Sequence, residues 1–154
     1  MSESAYRTVV VGTDGSESSL RAVARAGALA GATGATLVIA CAYLPAEADD
    51  RETARAQDAL GEDAYQIVGS HPAEDTVRTA HEKASAAGAK NVKTLAIQGS
   101  PVEALLDVVK RENADLLVVG NRGLAGIKGR LLGSVPADAT RRSQVDVLVE
   151  HTTG

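Results

Sequence analysis

Five short apolar runs are spaced along the chain, and between them apolar residues recur at helical rather than alternating intervals. Residues 6–12 (YRTVVVG) read as a buried strand closed by a glycine. Residues 14–17 (DGSE) have capping-box spacing, which predicts a following helix with Asp14 as its cap and Glu17 reaching back. A second strand is expected over 35–42 (ATLVIACA), then a charge-rich excursion over 45–65 with room for one helical stretch. Pro72 opens a helix whose inner face carries Ala73, Val77, Ala80, Ala84 and Ala87, with Gly88 as its stop. The third strand is 91–97 (NVKTLAI). Ser100-Pro-Val-Glu103 then forms a second capping box with proline at the first helical position, and Val102, Leu105, Leu106 and Val109 form the buried face. The fourth strand is 115–119 (DLLVV), ending in Gly120, and the fifth is 145–151 (VDVLVEH). A glycine-rich stretch to Gly133 and a helix over 134–142 separate these last two.

Strands that are apolar throughout and alternate with helices imply a parallel sheet covered on both faces. The expected fold is therefore a three-layer, doubly wound α/β domain spanning 1–154, with five strands in the order 3-2-1-4-5. Right-handed crossovers put a ligand site at the carboxyl ends of the strands, where strand order reverses. In this order the reversal lies between strands 1 and 4. The two most loop-like glycine clusters, 12–16 and 120–134, follow those two strands.

Composition narrows the function classes. Aromatics are 2% of the 154 residues, with no Phe or Trp, so there is no stacking platform for single-stranded nucleic acid. A net charge of −4 argues against nucleic acid or an acidic membrane as partner. No apolar stretch is long enough to cross a bilayer, nothing at the start resembles a signal peptide, and the single cysteine, Cys41, excludes an internal disulfide. The expected compartment is the cytoplasm. Against the acidic background, residues 121–142 carry Arg122, Lys128, Arg130, Arg141 and Arg142 with only Asp138 opposing them. So short a positive stretch suits a small anion better than a polymer.

The same region holds the strongest chemical signal, Gly120-Asn-Arg-Gly123, nine residues, then Gly133-Ser134. Glycines let the backbone approach a phosphate, successive N–H groups form an anion nest, and the helix opening at Ser134 adds its N–H groups and dipole. The competing reading is a plain glycine loop with solvated basic residues. His71, His81 and His151 lack metal-ligand spacing, so no metal site is expected. Cys41, inside an apolar strand, is read as a buried and inert thiol.

Gly120-x2-Gly123-x9-Gly133-Ser134, together with the strand end Val10-Val-Gly-Thr-Asp14-Gly-Ser16, resembles the universal stress protein family. The resemblance covers nearly the whole chain and is weakest over 45–65. It implies an adenine nucleotide alpha-hydrolase-like fold and an adenine-nucleotide ligand. Carried over position by position, Asp14 would hold the adenine–ribose end beside Gly12. Ala40, Cys41 and Ala42 would meet adenine with backbone groups. Gly120, Arg122 and Gly123 would admit ribose and phosphate, and Gly133, Ser134 and Val135 would bind phosphate. The resemblance also implies a homodimer through the last strand. It is nearest to the mycobacterial-type single-domain subgroup associated with cyclic AMP.

Three function classes compete. The leading one is a non-enzymatic module that senses or buffers an adenine nucleotide, cyclic AMP or ATP. A slow ATPase or nucleotidyl-transfer enzyme is the alternative, although no Gly-Lys-Ser/Thr follows the loop and no HxGH-type pair follows strand 1. A phosphorylated receiver domain needs an acceptor Asp after strand 3, where this chain has Gln98-Gly99.

Overall fold

The computed structural model describes residues 5–45, 67–121 and 134–152. The expected excursion over 45–65, apart from Pro45, and the loop residues Arg122, Gly123 and Gly133 lie outside them. Among the described residues, ten elements follow in order: β1 (Thr8–Gly12), α1 (Glu17–Thr33), β2 (Thr36–Leu44), β3 (Ile67–Val68), α2 (Ser70–Ala87), β4 (Asn91–Gln98), α3 (Pro101–Arg111), β5 (Leu116–Gly120), α4 (Ser134–Arg142) and β6 (Asp146–Glu150).

All pairings are parallel, and the long strands lie in the order β4-β2-β1-β5-β6, which is the expected 3-2-1-4-5. The two-residue β3, which no periodicity announced, pairs with Tyr43 and Leu44 at the carboxyl end of β2. Pairing also carries β2 two residues past its expected end at Ala42.

Side-chain alternation divides the core between the two faces of the sheet. Val9, Val11, Leu37, Ile39, Leu116 and Val118 pack with the alanine-rich faces of α1 and α2. Val10, Val38, Ala40, Leu117 and Val119 pack with Leu105, Val108 and Val109 of α3 and Ala139 of α4. Small residues let α1 and α2 approach closely: a Cβ on Gly31 would stand 2.3 Å from the Gly88 carbonyl oxygen.

The helix starts correct three expectations. The cap of α1 is Ser16, not Asp14; its hydroxyl accepts from Ser19 N at 3.1 Å. Gly15, at φ 84°, turns the chain sharply, so Asp14 lies two residues before the cap and accepts from Ser16 N at 2.9 Å. Ser100 occupies the cap position of α3, yet its side chain makes no capping bond; Glu103 reaches across to Arg142 of α4 at 2.8 Å instead of back to the cap. The second long helix begins at Ser70, two residues before Pro72, which sits comfortably in the first turn. On α3 the deepest residues are Ala104, Leu105, Val108 and Val109, with Val102 and Leu106 only half-buried.

Candidate functional site

β1 leads to β2 on one side, whereas β4 leads across to β5 on the other, so the reversal falls between β1 and β5. A shallow, solvent-open cleft sits there, at the carboxyl ends of the strands. One wall is the β1–α1 turn with the first residues of α1: Gly12, Thr13, Asp14, Ser16, Ser18 and Ser19. Ala40, Ala42, Tyr43 and Leu44 of β2 form a second, and Gly99, Pro101 and Leu105 a third. Val119, Gly120 and Val135 close the side where the glycine loop leaves β5 and re-enters at α4.

The polar wall is rigidly built. Thr13 N donates to Ala40 O at 3.0 Å, which pins the turn to β2. The Thr13 and Ser19 hydroxyls are 2.8 Å apart, and Gly15 N donates to Thr13 Oγ1 at 3.1 Å. Asp14 N donates to Ser19 Oγ at 3.3 Å, and Ser19 Oγ donates to Ser16 O at 3.0 Å. These bonds hold the half-buried Asp14 at the mouth of the cleft, beside the positive end of α1. Leu105 and Val119 supply an apolar floor. A Cβ on Gly12 would lie 2.8 Å from both Leu105 methyl carbons, so glycine is what keeps this corner open. An apolar floor with N–H groups, hydroxyls and one carboxylate around it can hold a flat heterocycle and orient the polar group attached to it.

Of the residues singled out by sequence, Gly12, Asp14, Ala40, Ala42, Gly120 and Val135 converge on this cleft. Ser134 begins α4 next to Val135. Cys41 lies in the strand segment that borders the cleft, but its side chain belongs to the opposite face, buried against α1 and α2. Burial, and after it the charge of Asp14, pushes that thiol up to about 12, which keeps it protonated and inert. Arg141 and Arg142 lie in the last turn of α4, paired with Asp138 and Glu103.

Sequence reasoning missed Thr13, the serines at 18 and 19, and the Gly99–Pro101 wall. The signals were present: a run of hydroxyls directly after β1, and a Gly-Ser-Pro turn at the carboxyl end of another strand. A further polar group lies behind the cleft. Asn121 and Thr152, 9% and 4% exposed, are bonded through Thr152 N to Asn121 Oδ1 at 2.8 Å.

Residues 5–151 match the universal stress protein family. The universal stress protein Rv1636 of Mycobacterium tuberculosis is 56% identical over 150 residues, spanning 97% of this chain and 99% of that protein. The chain belongs to the universal stress protein family. A universal stress protein from Thermus aquaticus is 31% identical over 144 residues, covering 94% of this chain and 98% of its own. Among solved structures, a universal stress protein in complex with cAMP shares 48% identity at a TM-score of 0.74, covering 97% of this chain and all of the other. In this universal stress protein, the glycine-rich motif begins at Gly120 on the rim of the cleft, and Val135, the residue after it, lies on the same rim.

Proposed function

We propose that this universal stress protein binds an adenine nucleotide in the cleft between β1 and β5 and acts in the cytoplasm as a sensor or buffer rather than as an enzyme. One observation carries the reading: Gly120, where the glycine motif begins, and Val135, the residue that follows it, line the same cleft as Asp14. The base lies on the side of Ala40, Ala42 and Leu105. Asp14 accepts from a ribose hydroxyl, and the phosphate sits toward the glycine motif and the N-terminus of α4, with Arg122, Gly123, Gly133 and Ser134 as its partners.

Cyclic AMP binds at least as tightly as ATP in magnesium-free buffer. A cyclic monophosphate carries one negative charge and needs no metal, whereas triphosphate sites pair a lysine with metal-binding acids or hydroxyls. Asp138 is the only acid between 121 and 142, and it is paired with Arg141. The cAMP complex of the 48%-identical protein supports the same choice. Titrating cAMP and ATP by calorimetry at identical salt tests it. ATP binding more than about tenfold tighter, a gap of ~1.4 kcal/mol, overturns the preference; binding of neither overturns the site. Turnover of labelled ATP by pure protein would move the reading to the enzymatic alternative.

The second part of the proposal is a homodimer through β6. This strand pairs with β5 on one side, and Leu148 is its exposed large apolar residue, at 37%. An edge of that kind is suited to pairing with a second copy across a two-fold axis.

A further inference from the structure

The segment after β6 folds back, and every polar group of Thr152 is engaged. Its N–H and hydroxyl reach Asn121 Oδ1 at 2.8 and 3.1 Å. Its hydroxyl also meets Ser18 Oγ, and its carbonyl accepts from Arg21 Nη1 at 2.6 Å. Asn121 is held in turn by its own N–H, which donates to Glu150 O at 2.8 Å. Its side-chain amide nitrogen lies 3.4 Å from His151 Nδ1.

Two partners in this group face the cleft. Ser18 lines it from α1, and Gly120 lines it from the end of β5. Thr152 fills the space behind both: a Cβ on Gly120 would lie 3.5 Å from the Thr152 methyl and hydroxyl and 3.7 Å from Ser18 Oγ. Thr152 therefore bridges the α1 wall to the β5 wall. Asn121, its main partner, is the residue from which the chain continues into 122–133.

We propose that Thr152 and Asn121 are positioning residues for the cleft. They hold the Ser18 wall and the Gly120 wall at a fixed separation, so that ligand affinity depends on the docking of Thr152. This rests on the nucleotide reading above. Coupling is reciprocal by linkage: an occupied cleft must also hold Thr152 more firmly in place.

The test uses the full-length protein. Thr152→Val keeps the size and the backbone N–H but removes the hydroxyl; Thr152→Ser keeps the hydroxyl. Cyclic AMP is titrated calorimetrically well below the melting temperature of each variant. Thr152→Val is expected to weaken binding about tenfold, the equivalent of one buried hydrogen bond, while Thr152→Ser stays within about twofold of the parent. Asn121→Ala is expected to weaken binding similarly, and adding Thr152→Val to it should change little, since the two act as one unit. A lower melting temperature with unchanged affinity would reduce the group to a structural staple and overturn the proposal. Hydrogen exchange at the Asn121 amide, which donates to Glu150 O, provides in ligand-free protein a readout that needs no nucleotide. Several-fold faster exchange there in Thr152→Val, with β1 and β2 unchanged, supports the proposal, and identical exchange overturns it. Failure of the parent protein to bind any nucleotide would sink the nucleotide reading and leave the exchange experiment to decide the positioning role.

Discussion

Gly12 and Leu105 meet at the corner of the cleft so closely that any side chain on Gly12 displaces Leu105. A Cβ there would be 2.8 Å from each Leu105 methyl carbon and 3.3 Å from its Cγ. Leu105 is itself 5% exposed and packed under β1 and β2, so it cannot swing away without disturbing the α3 face of the core. Gly12→Ala is expected to cost ~1–3 kcal/mol of stability, the usual cost of overpacking. It should also weaken cAMP binding, because the displaced leucine is itself part of the cleft floor. Denaturant midpoints and calorimetry on the same variant check both, and full affinity would remove Gly12 from the site.

The contact between α1 and α2 offers a sharper contrast. Gly31 faces backbone, with the Gly88 oxygen 2.3 Å from where a Cβ would stand, so Gly31→Ala must push the helices apart. A loss of ~1–3 kcal/mol is expected. Gly34, the left-handed C-cap at φ 74°, has nothing within 4 Å. There Gly34→Asn should cost little, since asparagine tolerates that conformation. Comparable losses at the two positions would contradict the packing described for this face.

At the opposite end of the sheet from the cleft, the Asp115 carboxylate accepts from Arg7 N at 2.9 Å and Thr8 N at 3.1 Å, tying the entry of β1 to β5. Asp115→Ala leaves two backbone donors without this acceptor and is expected to lower stability by ~1–2 kcal/mol. Because the site is remote, nucleotide affinity should not move. Chemical denaturation and calorimetry in parallel would expose any coupling.

These relationships differ in how far the sequence announces them. The sheet order was legible because β1, β2 and β5 are buried on both faces and read as unbroken apolar runs, which only a covered parallel sheet accommodates. The corners of the cleft were legible where glycine or a strand end marks them, as at Gly12, Asp14 and Gly120, whereas Val135 came only through the family resemblance. Asp14 and Ser16 show why capping was misread: both side chains can cap, they stand two residues apart, and the positive φ of Gly15 decides between them. β3 is too short to carry a period. The bond between Asn121 and Thr152 joins residues 31 apart with no shared pattern, and only the return of the chain behind Gly120 creates it.

Cys41 gives a pH dependence of definite sign. Its thiol is raised by burial to about 12 in the folded chain, against roughly 8.5 in an unfolded one. Below the unfolded value both states hold the proton and stability is indifferent to it. Between the two values the folded state keeps a proton that the unfolded state loses, so stability falls as pH rises through that window. Urea midpoints measured between roughly pH 9 and 11 should fall less steeply in Cys41→Ala than in the parent. Thiol reagents at neutral pH should modify Cys41 only as fast as the protein opens. Rapid labelling of the folded protein would contradict the burial.

Leu148 tests the proposed pairing of β6 with a second copy. The strand's burial alternates, with Val147 half-buried against the α3 face while Asp146 and Leu148 are exposed. Flanked two positions away on either side by Asp146 and Glu150, this leucine is already 37% exposed, so replacing it costs less in an isolated chain than replacing a core leucine. In a dimer it would be buried, and Leu148→Glu would place two like charges near one two-fold axis. The expected outcome is a shift from dimer to monomer in light scattering at micromolar concentration, with the melting curve of the monomer intact. A parent protein that is already monomeric would overturn the dimer, and a variant that stays dimeric would move the interface away from β6. Because Glu150 of the same strand accepts from Asn121 N and Thr152 follows it, a β6 dimer would abut the rear of the cleft. Cyclic AMP affinity should then be weaker in Leu148→Glu than in the parent, and more so at concentrations where the parent is fully dimeric.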